Sequence, residues 1–588
     1  MKLAMTWEKG VYAAALGVGL GLRLAHLGQT AFSENEAALA LQAWDLARGV
    51  PTVMGPQPGY LLLTLVNFFL GGANEFLARL WPALAGSLLV LAPWFLRERL
   101  GRVPAVILAF ALALDPALLA LSRTAEGGIF SVSLGLLALA LLAAGKPAPA
   151  GFLAGAALLG GPAAWLGLLV GALVWLWSRW VGRKTETPAE AWPWRTFLPW
   201  LGVGLVGIGT LFMLRPMGLS AWASSFLAFW RGWQLGGGSP LNQMVLALGL
   251  MEALPLLLGW VGLLHGWWRK DALDGLLGRW FAVALVMVLL YPARQVTDWV
   301  WVTVPLWALA AREVCRLFEG EDEYGLISIG QAVLGFTLMG FAWLNVVGLN
   351  LVQEEVVTGP GGLNSLDPTT LRTLSIVISF VLFVVISIMI GVGWSRRAGL
   401  RGFVGAVLAA MLVWTGSAAW HSVGLSKHPE TSLWLSSPLI TDGDLIRSTL
   451  GDLSEWNVRS RSGIEIVVED NASPSLRWLL RDFTQVRYVN ALAVDGTPAV
   501  VFTRSSQPLS LPAAYTGQDF VLQSSSPWSL LYGDEWVRWL ITREAPTQQE
   551  ALFLWARSDL FAGGQGTGPA VEAPEDTGPV LGPQEAAP

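Results

Sequence analysis

The sequence predicts a polytopic α-helical membrane protein that carries a C-terminal extracytoplasmic α/β domain. Two observations lead there. The 588-residue chain is 54% hydrophobic and only 13% charged, with a mean hydropathy of +0.54, whereas soluble domains carry roughly 25% charge. Its apolar residues also fall into repeated blocks of about 20, the length that spans a hydrocarbon layer about 30 Å thick. A net charge of -5, with no basic stripe interleaved with aromatics, excludes a nucleic-acid partner. Cys315 is the only cysteine, which rules out an intrachain disulfide or a cysteine-based metal cluster. Most of the 32 tryptophans lie near segment ends, as interfacial anchors do.

Lys2 and Lys9 precede the apolar run from Val11 to Leu22. Arg23 and His26 follow it without a small-residue cleavage site, so this is a retained first span. The stretch FSENEAALALQAWDLARG, residues 32–49, comes next. Ser33 and Glu36 have capping-box spacing, and Gly49 followed by Pro51 closes a helix of residues 34–48. PGYLLLTLVNFFLGG (58–72) is too short to cross comfortably and reads as a re-entrant or interfacial helix. Spans follow near 75–96, 103–122 and 127–144, then a short hairpin pair that closes on SRWVGRK. Further spans lie near 196–214, 241–266, 275–291, 299–316, 325–350, 371–394 and 402–424. The total is about thirteen transmembrane helices.

With a cytoplasmic N-terminus, nearly every basic cluster falls inside: Arg97/Arg99/Arg102, Arg179/Arg183/Lys184, Arg269/Lys270 and Arg396/Arg397/Arg401. The odd number of spans then puts everything after 425 outside. The same assignment gathers Glu34, Glu36, Glu126, Arg294 and Asp298 on the outer face. Residues 1–425 therefore form the membrane domain. Over residues 426–562 charge rises and short alternating runs (GIEIVVED, AVVFTR, DFVLQS) read as strands, with SLRWLLRDF and DEWVRWLITR as helices, the pattern of a small α/β domain. Residues 563–588, rich in Gly, Pro, Ala and Glu, read as a disordered tail.

An arginine-bearing first span, an outer loop whose acidic pair opens an amphipathic helix, and an apolar segment after a proline together resemble the GT-C glycosyltransferases. The nearest type is glycosyltransferase family 39, the protein mannosyltransferase and aminoarabinose transferase group. EFLARLWPALAGSLLVLAPWFLRERLGR, LDPALLALSRTAEGGIFS and YPARQVTDWVWVTVPLWALAARE fit the same pattern, and the resemblance covers roughly residues 10–316. It implies an enzyme that moves a sugar from a polyprenyl-phosphate-linked donor to a glycan, lipid or protein acceptor on the outer face of the cell membrane. Such chemistry needs a carboxylate to take the acceptor's proton. It also needs cationic or donor groups where charge develops on the leaving phosphate.

The family usually opens the loop helix with Asp-Glu. Here the pair is Asn35-Glu36, preceded by Glu34. Asparagine cannot act as a base, so the catalytic candidates are Glu34 and Glu36. Residues two apart on a helix point to nearly opposite sides, which gives Glu36 to the cap and leaves Glu34 as the base. Glu126 stands where the family's second acidic residue lies, and it is equally an N-terminal helix charge. Arg294 is the candidate for the donor phosphate, because its fork suits phosphate oxygens. Arg123 is a second such candidate and equally a headgroup anchor, while Asp298 is either a site residue or the i,i+4 ion-pair partner of Arg294. Glu252 sits inside a span, where a carboxylate is functional or paired, and Asp115 caps a half-helix after a proline break.

GLSAWASSFLAFWRGW (218–233) reads as a helix lying in the outer interface. The four histidines show no ligand spacing. No cofactor is implied beyond a possible divalent metal. Two other readings stand beside the transferase. Asn35 favours a catalytically degenerate GT-C-like scaffold that binds a lipid-linked glycan or a partner protein. Glu252 motivates a transporter, although no inverted repeat is visible.

Overall fold

The computed structural model describes residues 2–181, 192–320, 324–355, 368–425, 428–435, 437–469, 473–492, 496–507 and 511–561. The tail read over 563–588, and the basic residues Arg183 and Lys184, lie outside them. The chain divides into two compact units. One comprises Met1–Leu439 with Ser525–Gln548, and the other Ile440–Ser524 with Gln549–Pro588. The compact units part at 439, and Ser525–Gln548 belongs to the first of them.

Within the membrane unit, six described helices are long and apolar enough to cross a bilayer: Glu75–Leu100, Pro162–Val181, Ala272–Leu290, Gly325–Leu349, Thr369–Gly393 and Arg396–Gly424. Two bent pairs raise the number to eight if each counts as one span. Helix starts follow the polar residues that the sequence supplies. The Asn74 side chain accepts the Leu77 amide at 2.8 Å, and Asp271 accepts those of Leu273 and Asp274 at 2.9 and 3.2 Å. Gly101, at φ +95°, lets the chain end Ala92–Leu100 and restart at once as Arg102–Leu114.

The bent pairs mark where the sequence breaks a span. Asp115 caps Pro116–Ser122 through the Leu118 amide at 2.6 Å, and the two halves meet at 50°. Carbonyls freed at this break are taken up by Arg23, which is fully buried. It donates to Leu112 and Ala113 at 3.1 and 3.3 Å and to Ser122 Oγ at 3.1 Å. The second break, of 80°, falls at Glu252 between Leu241–Met251 and Ala253–Arg269. The Glu252 carboxyl accepts the Ala117 amide at 3.2 Å, so each break is stitched to the other. The region predicted as a hairpin packs through glycine. A Cβ at Gly151 or Gly155 would lie 2.3 or 2.2 Å from a main-chain carbonyl of Trp194–Gly209. Small residues of this kind let two helix backbones approach directly.

At the end carrying Lys270, an ion-pair network joins three helices. Arg312 bonds Asp274 at 2.6 Å and Asp271 at 2.7 Å, Arg316 pairs with Asp274, and His265 meets Glu313 at 2.7 Å. The interfacial stretch forms one helix, Met217–Leu235, with Phe226 and Trp230 exposed.

The second unit is built on a six-stranded sheet: β1 (Leu439–Ile440), β2 (Ile466–Val468), β3 (Val486–Tyr488), β4 (Val500–Thr503), β5 (Tyr515–Ser525) and β6 (Gln548–Arg557). The strand order is β1-β5-β6-β4-β2-β3. Strand β2 runs parallel to β3 and β4, with Ile466 opposite Val486 and Val500, and β4 pairs antiparallel with β6. Strands β2 and β4 are buried at every residue, so the alternation expected of these runs is absent, because both faces of the strands are covered. Gly443–Val458 packs Ile446, Leu450 and Leu453 inward.

Candidate active site

The capping box predicted at Ser33 is present. Its serine hydroxyl accepts the Glu36 amide, and Glu36 accepts the Ser33 amide at 2.9 Å. The glutamate does much more than cap, however. It is 1% exposed, and its two oxygens receive four donors. Arg79 grips it with both arms, Nε on Oε1 at 2.8 Å and Nη2 on Oε2 at 3.0 Å. The Ala125 amide adds a bond to Oε1 at 2.7 Å. Arg79 spends its remaining donors on the carbonyls of Leu27, Thr30 and Ala31, at 3.2, 2.6 and 2.9 Å, and stacks on Phe32. A carboxylate so fully occupied positions its neighbours and has no lone pair left for a substrate's proton. Sequence reasoning missed Arg79. The available signal was an arginine lodged in an apolar span.

Those neighbours include Glu126. The turn Thr124–Glu126 separates Pro116–Ser122 from Gly127–Ala143, and it is pinned on both sides. Glu36 holds the Ala125 amide, and Gln57 Oε1 accepts the Gly127 amide at 2.8 Å. The Gly-Gly step allows this closeness. A Cβ at Gly127 would lie 3.0 Å from Gln57 Oε1, and one at Gly128 would lie 2.5 Å from Thr297 Oγ1. The turn is therefore wedged between the start of Pro58–Gly71 and the Val296–Trp299 turn. Glu126 itself is partly exposed, and its carboxylate has no hydrogen-bond or ion-pair partner among the described residues. Burial, and secondarily the Glu36 charge, push its carboxyl up to about 7.

Asp298 adjoins Thr297 on the far side of the glycines. It is 1% exposed and accepts the Gln295 amide at 2.8 Å, with Oδ1 unpartnered among the described residues. Burial pushes this carboxyl, too, up to about 7. Asp298 forms no described ion pair with Arg294. The Arg294 guanidinium donates to the carbonyls of Val288, Ser239 and Leu289 at 3.1, 3.4 and 3.3 Å. Two of these are end carbonyls of Ala272–Leu290, so the arginine caps that helix. Arg294→Ala is expected to cost roughly 1–3 kcal/mol of stability, as for hydrogen bonds to a charged group. Thermal unfolding in detergent measures it, and a shift no larger than that of a surface substitution would mean that the arginine does not cap the helix.

Glu34 lies in the first helical turn, partly exposed, and its amide donates to the Pro438 carbonyl at 3.2 Å. Asn35 beside it is exposed. Arg123, which is 6% exposed, donates through Nη1 to the carbonyls of Leu22, Arg23 and Ala25 at 3.0, 3.0 and 2.7 Å. Burial, then Arg79, pull its pKa down to about 10, so it stays charged at neutral pH. Glu252 stands apart from these groups at its helix break. Its nearest acidic neighbour is Asp115, which accepts the Trp307 indole at 2.6 Å. Among the described residues, no three or more His, Cys, Asp or Glu side chains come together as a metal site.

With this geometry in place, comparison with solved structures identifies the fold. ArnT from Cupriavidus metallidurans bound to undecaprenyl phosphate matches at 16% identity and a TM-score of 0.55, over 95% of this chain and 99% of that one. The apo state of the same protein matches at 16% identity and 0.51, with the same coverage. The apo oligosaccharyltransferase of Archaeoglobus fulgidus matches at 12% identity and 0.41, over 82% and 64% of the two chains. The ArnT likeness shows the fold, and the polytopic helical architecture with a C-terminal α/β domain expected from the sequence is borne out. No family model and no curated protein matches the chain.

Proposed function

We propose that the chain is a membrane glycosyltransferase that moves a sugar from a polyprenyl-phosphate donor to an acceptor at the outer face, with Glu126 as its base. In this reaction an acceptor hydroxyl or amine attacks the anomeric carbon, and the bond from that carbon to the phosphate oxygen breaks. Polyprenyl phosphate leaves with the electron pair, and the acceptor's proton passes to the Glu126 carboxylate. The observation that carries the reading is the state of Glu126. It is a partly exposed carboxylate without a partner among the described residues, pinned through both flanking amides, and poised near neutral pH. A base works best when its pKa lies near the working pH.

The sequence argument placed the base at Glu34 or Glu36. Glu36, saturated by Arg79 and two amides, is assigned here to positioning, and Asp298, buried, to holding the opposite wall. The ArnT fold supports the donor class, since that protein was crystallised with undecaprenyl phosphate. The direct test is native mass spectrometry of the purified chain with undecaprenyl phosphate. A one-to-one adduct is expected, and its absence under conditions that preserve the fold would overturn the donor assignment.

The orientation belongs to the same proposal. The basic flanks put the N-terminus in the cytoplasm and residues 440–524 outside. In a Cys315→Ser background, a cysteine at the exposed position Gln518 should react with an impermeant maleimide in right-side-out membrane vesicles. Labelling only after permeabilisation would reverse the topology and with it the face on which Glu126 works.

A further inference from the structure

A cavity of about 80 Å³ is lined in part by the Glu36–Arg79 pair, and Glu126 is not among the residues that line it. Its walls come from the loop carrying Thr30, from Arg123 and Thr124, and from the returning segment that carries His421, Ser422, Ser432 and Trp434. Three nitrogens on that lining have no hydrogen-bond partner among the described residues: Arg123 Nη2, Trp434 Nε1 and His421 Nδ1. Arg123 and Trp434 are 6% and 4% exposed, so bulk water does not readily serve them.

Leaving a buried donor unmet is costly, and native proteins rarely do so. Two of the three nitrogens are donors in any protonation state, since a guanidinium and an indole N–H cannot accept. The complement they call for is therefore an acceptor without protons of its own. The charges agree. Glu36 and Arg79, both on the wall, neutralise each other, which leaves the Arg123 cation without a counter-charge among the described residues. Three helix-end carbonyls on Nη1 partly offset it, but they point at one arm only.

We propose that this cavity is a second anion site, separate from the transfer centre, that binds a phosphate group on Arg123 Nη2, Trp434 Nε1 and His421. Serine and threonine hydroxyls from Thr124, Ser422 and Ser432 stand around it. The volume admits a tetrahedral oxyanion. The phosphate comes either from an anionic lipid headgroup or from free inorganic phosphate, and the chemistry of the cavity is the same for both. The proposal does not depend on the role given to Glu126.

The test uses the full chain purified in an uncharged detergent. Thermal unfolding is followed in sodium phosphate and in sodium chloride of equal ionic strength. Binding of dioleoyl phosphatidic acid and of dioleoyl phosphatidylcholine is followed by native mass spectrometry. Trp434→Phe keeps the ring and removes only the N–H, so it should fold and weaken phosphate binding about tenfold, the worth of a hydrogen bond to a charged group. Arg123→Gln should abolish it. A phosphatidate adduct that weakens in Trp434→Phe, without a response to inorganic phosphate, identifies a lipid headgroup. A phosphate-dependent rise in midpoint that weakens likewise identifies the free ion. Glu126→Gln should retain either response, and the Trp434→Phe chain should retain its undecaprenyl phosphate adduct, which keeps the two proposals separable. Equal responses in the parent chain and Trp434→Phe would overturn the site. So would no response to any of the probes, which would mean that water meets the three nitrogens.

Discussion

Glu126→Gln is expected to lower sugar transfer by roughly 100- to 10,000-fold, the range that a positioned general base supplies. Donor binding should persist, because the amide keeps the shape of the side chain and the turn around it. In the parent chain the rate should fall about tenfold per pH unit below about 7, where burial and Glu36 hold the carboxyl, while the residual rate of the variant should not titrate there. Stability should move the other way. The folded carboxyl has its pKa raised, so the folded chain keeps its proton while the unfolded chain releases it. That contribution is fully present below about 4.5, the unfolded value, and is lost as the pH rises through about 7. The variant, which never ionises, should therefore melt higher than the parent at pH 8 and match it near pH 4. Glu34→Gln is the comparison, and it should keep transfer. If it abolishes transfer and Glu126→Gln does not, the base belongs to Glu34. Transfer that withstands both changes would leave a lipid-binding scaffold as the better description.

Arg79→Ala should be the most damaging single substitution in the membrane unit. A lost helix cap costs about 1 kcal/mol, but this change strands a buried carboxylate, a loss of the order of 3–5 kcal/mol. Three main-chain carbonyls lose their donor with it. Glu36→Gln should be nearly as harmful, since it leaves Arg79 unneutralised at 2% exposure. Thermal unfolding in detergent, with the yield of monodisperse protein, measures both. A shift in either variant no larger than that of a surface substitution would mean that the pair does not hold the loop. The transfer rate of whatever Glu36→Gln protein does fold should drop as well, because the Ala125 amide then loses a charged acceptor and the Glu126 turn loosens.

What could be read from the sequence was what depends on near neighbours. Ser33 and Glu36 are three apart, and Asp115 stands immediately before its proline, so both caps were visible and both are present. The buried strands at 466–468 and 500–503 lie inside the runs that predicted them. The partner of Glu36 was hidden because Arg79 is 43 residues away, and nothing local marks a pair that folding alone brings together. The state of Glu126 was hidden for the same reason. The residue is conspicuous beside two glycines, yet its raised pKa comes from burial and from the charge of Glu36, 90 residues earlier in the chain. DEWVRWLITR was read as a helix and is one, and it belongs to the first compact unit. Its amphipathic pattern is satisfied by any apolar surface, and the surface it uses lies in the membrane unit.

That last segment has a consequence for the order in which the protein is made. Ser525–Gln548 clusters Trp528, Trp536 and Trp539, and it sends Arg543 to stack on Trp414 at 5.0 Å while the Arg543 carbonyl takes the Thr431 hydroxyl at 2.8 Å. Domains generally fold as units during synthesis, from the N-terminus onward. Here the first unit remains incomplete until residue 548 has left the ribosome, since Ser525–Gln548 belongs to it. The sheet unit emerges in the meantime as an insertion between two parts of its neighbour. A nascent chain released early would therefore carry every membrane helix and still expose an unfinished tryptophan-binding surface, which is a signal that quality-control proteases and chaperones can read.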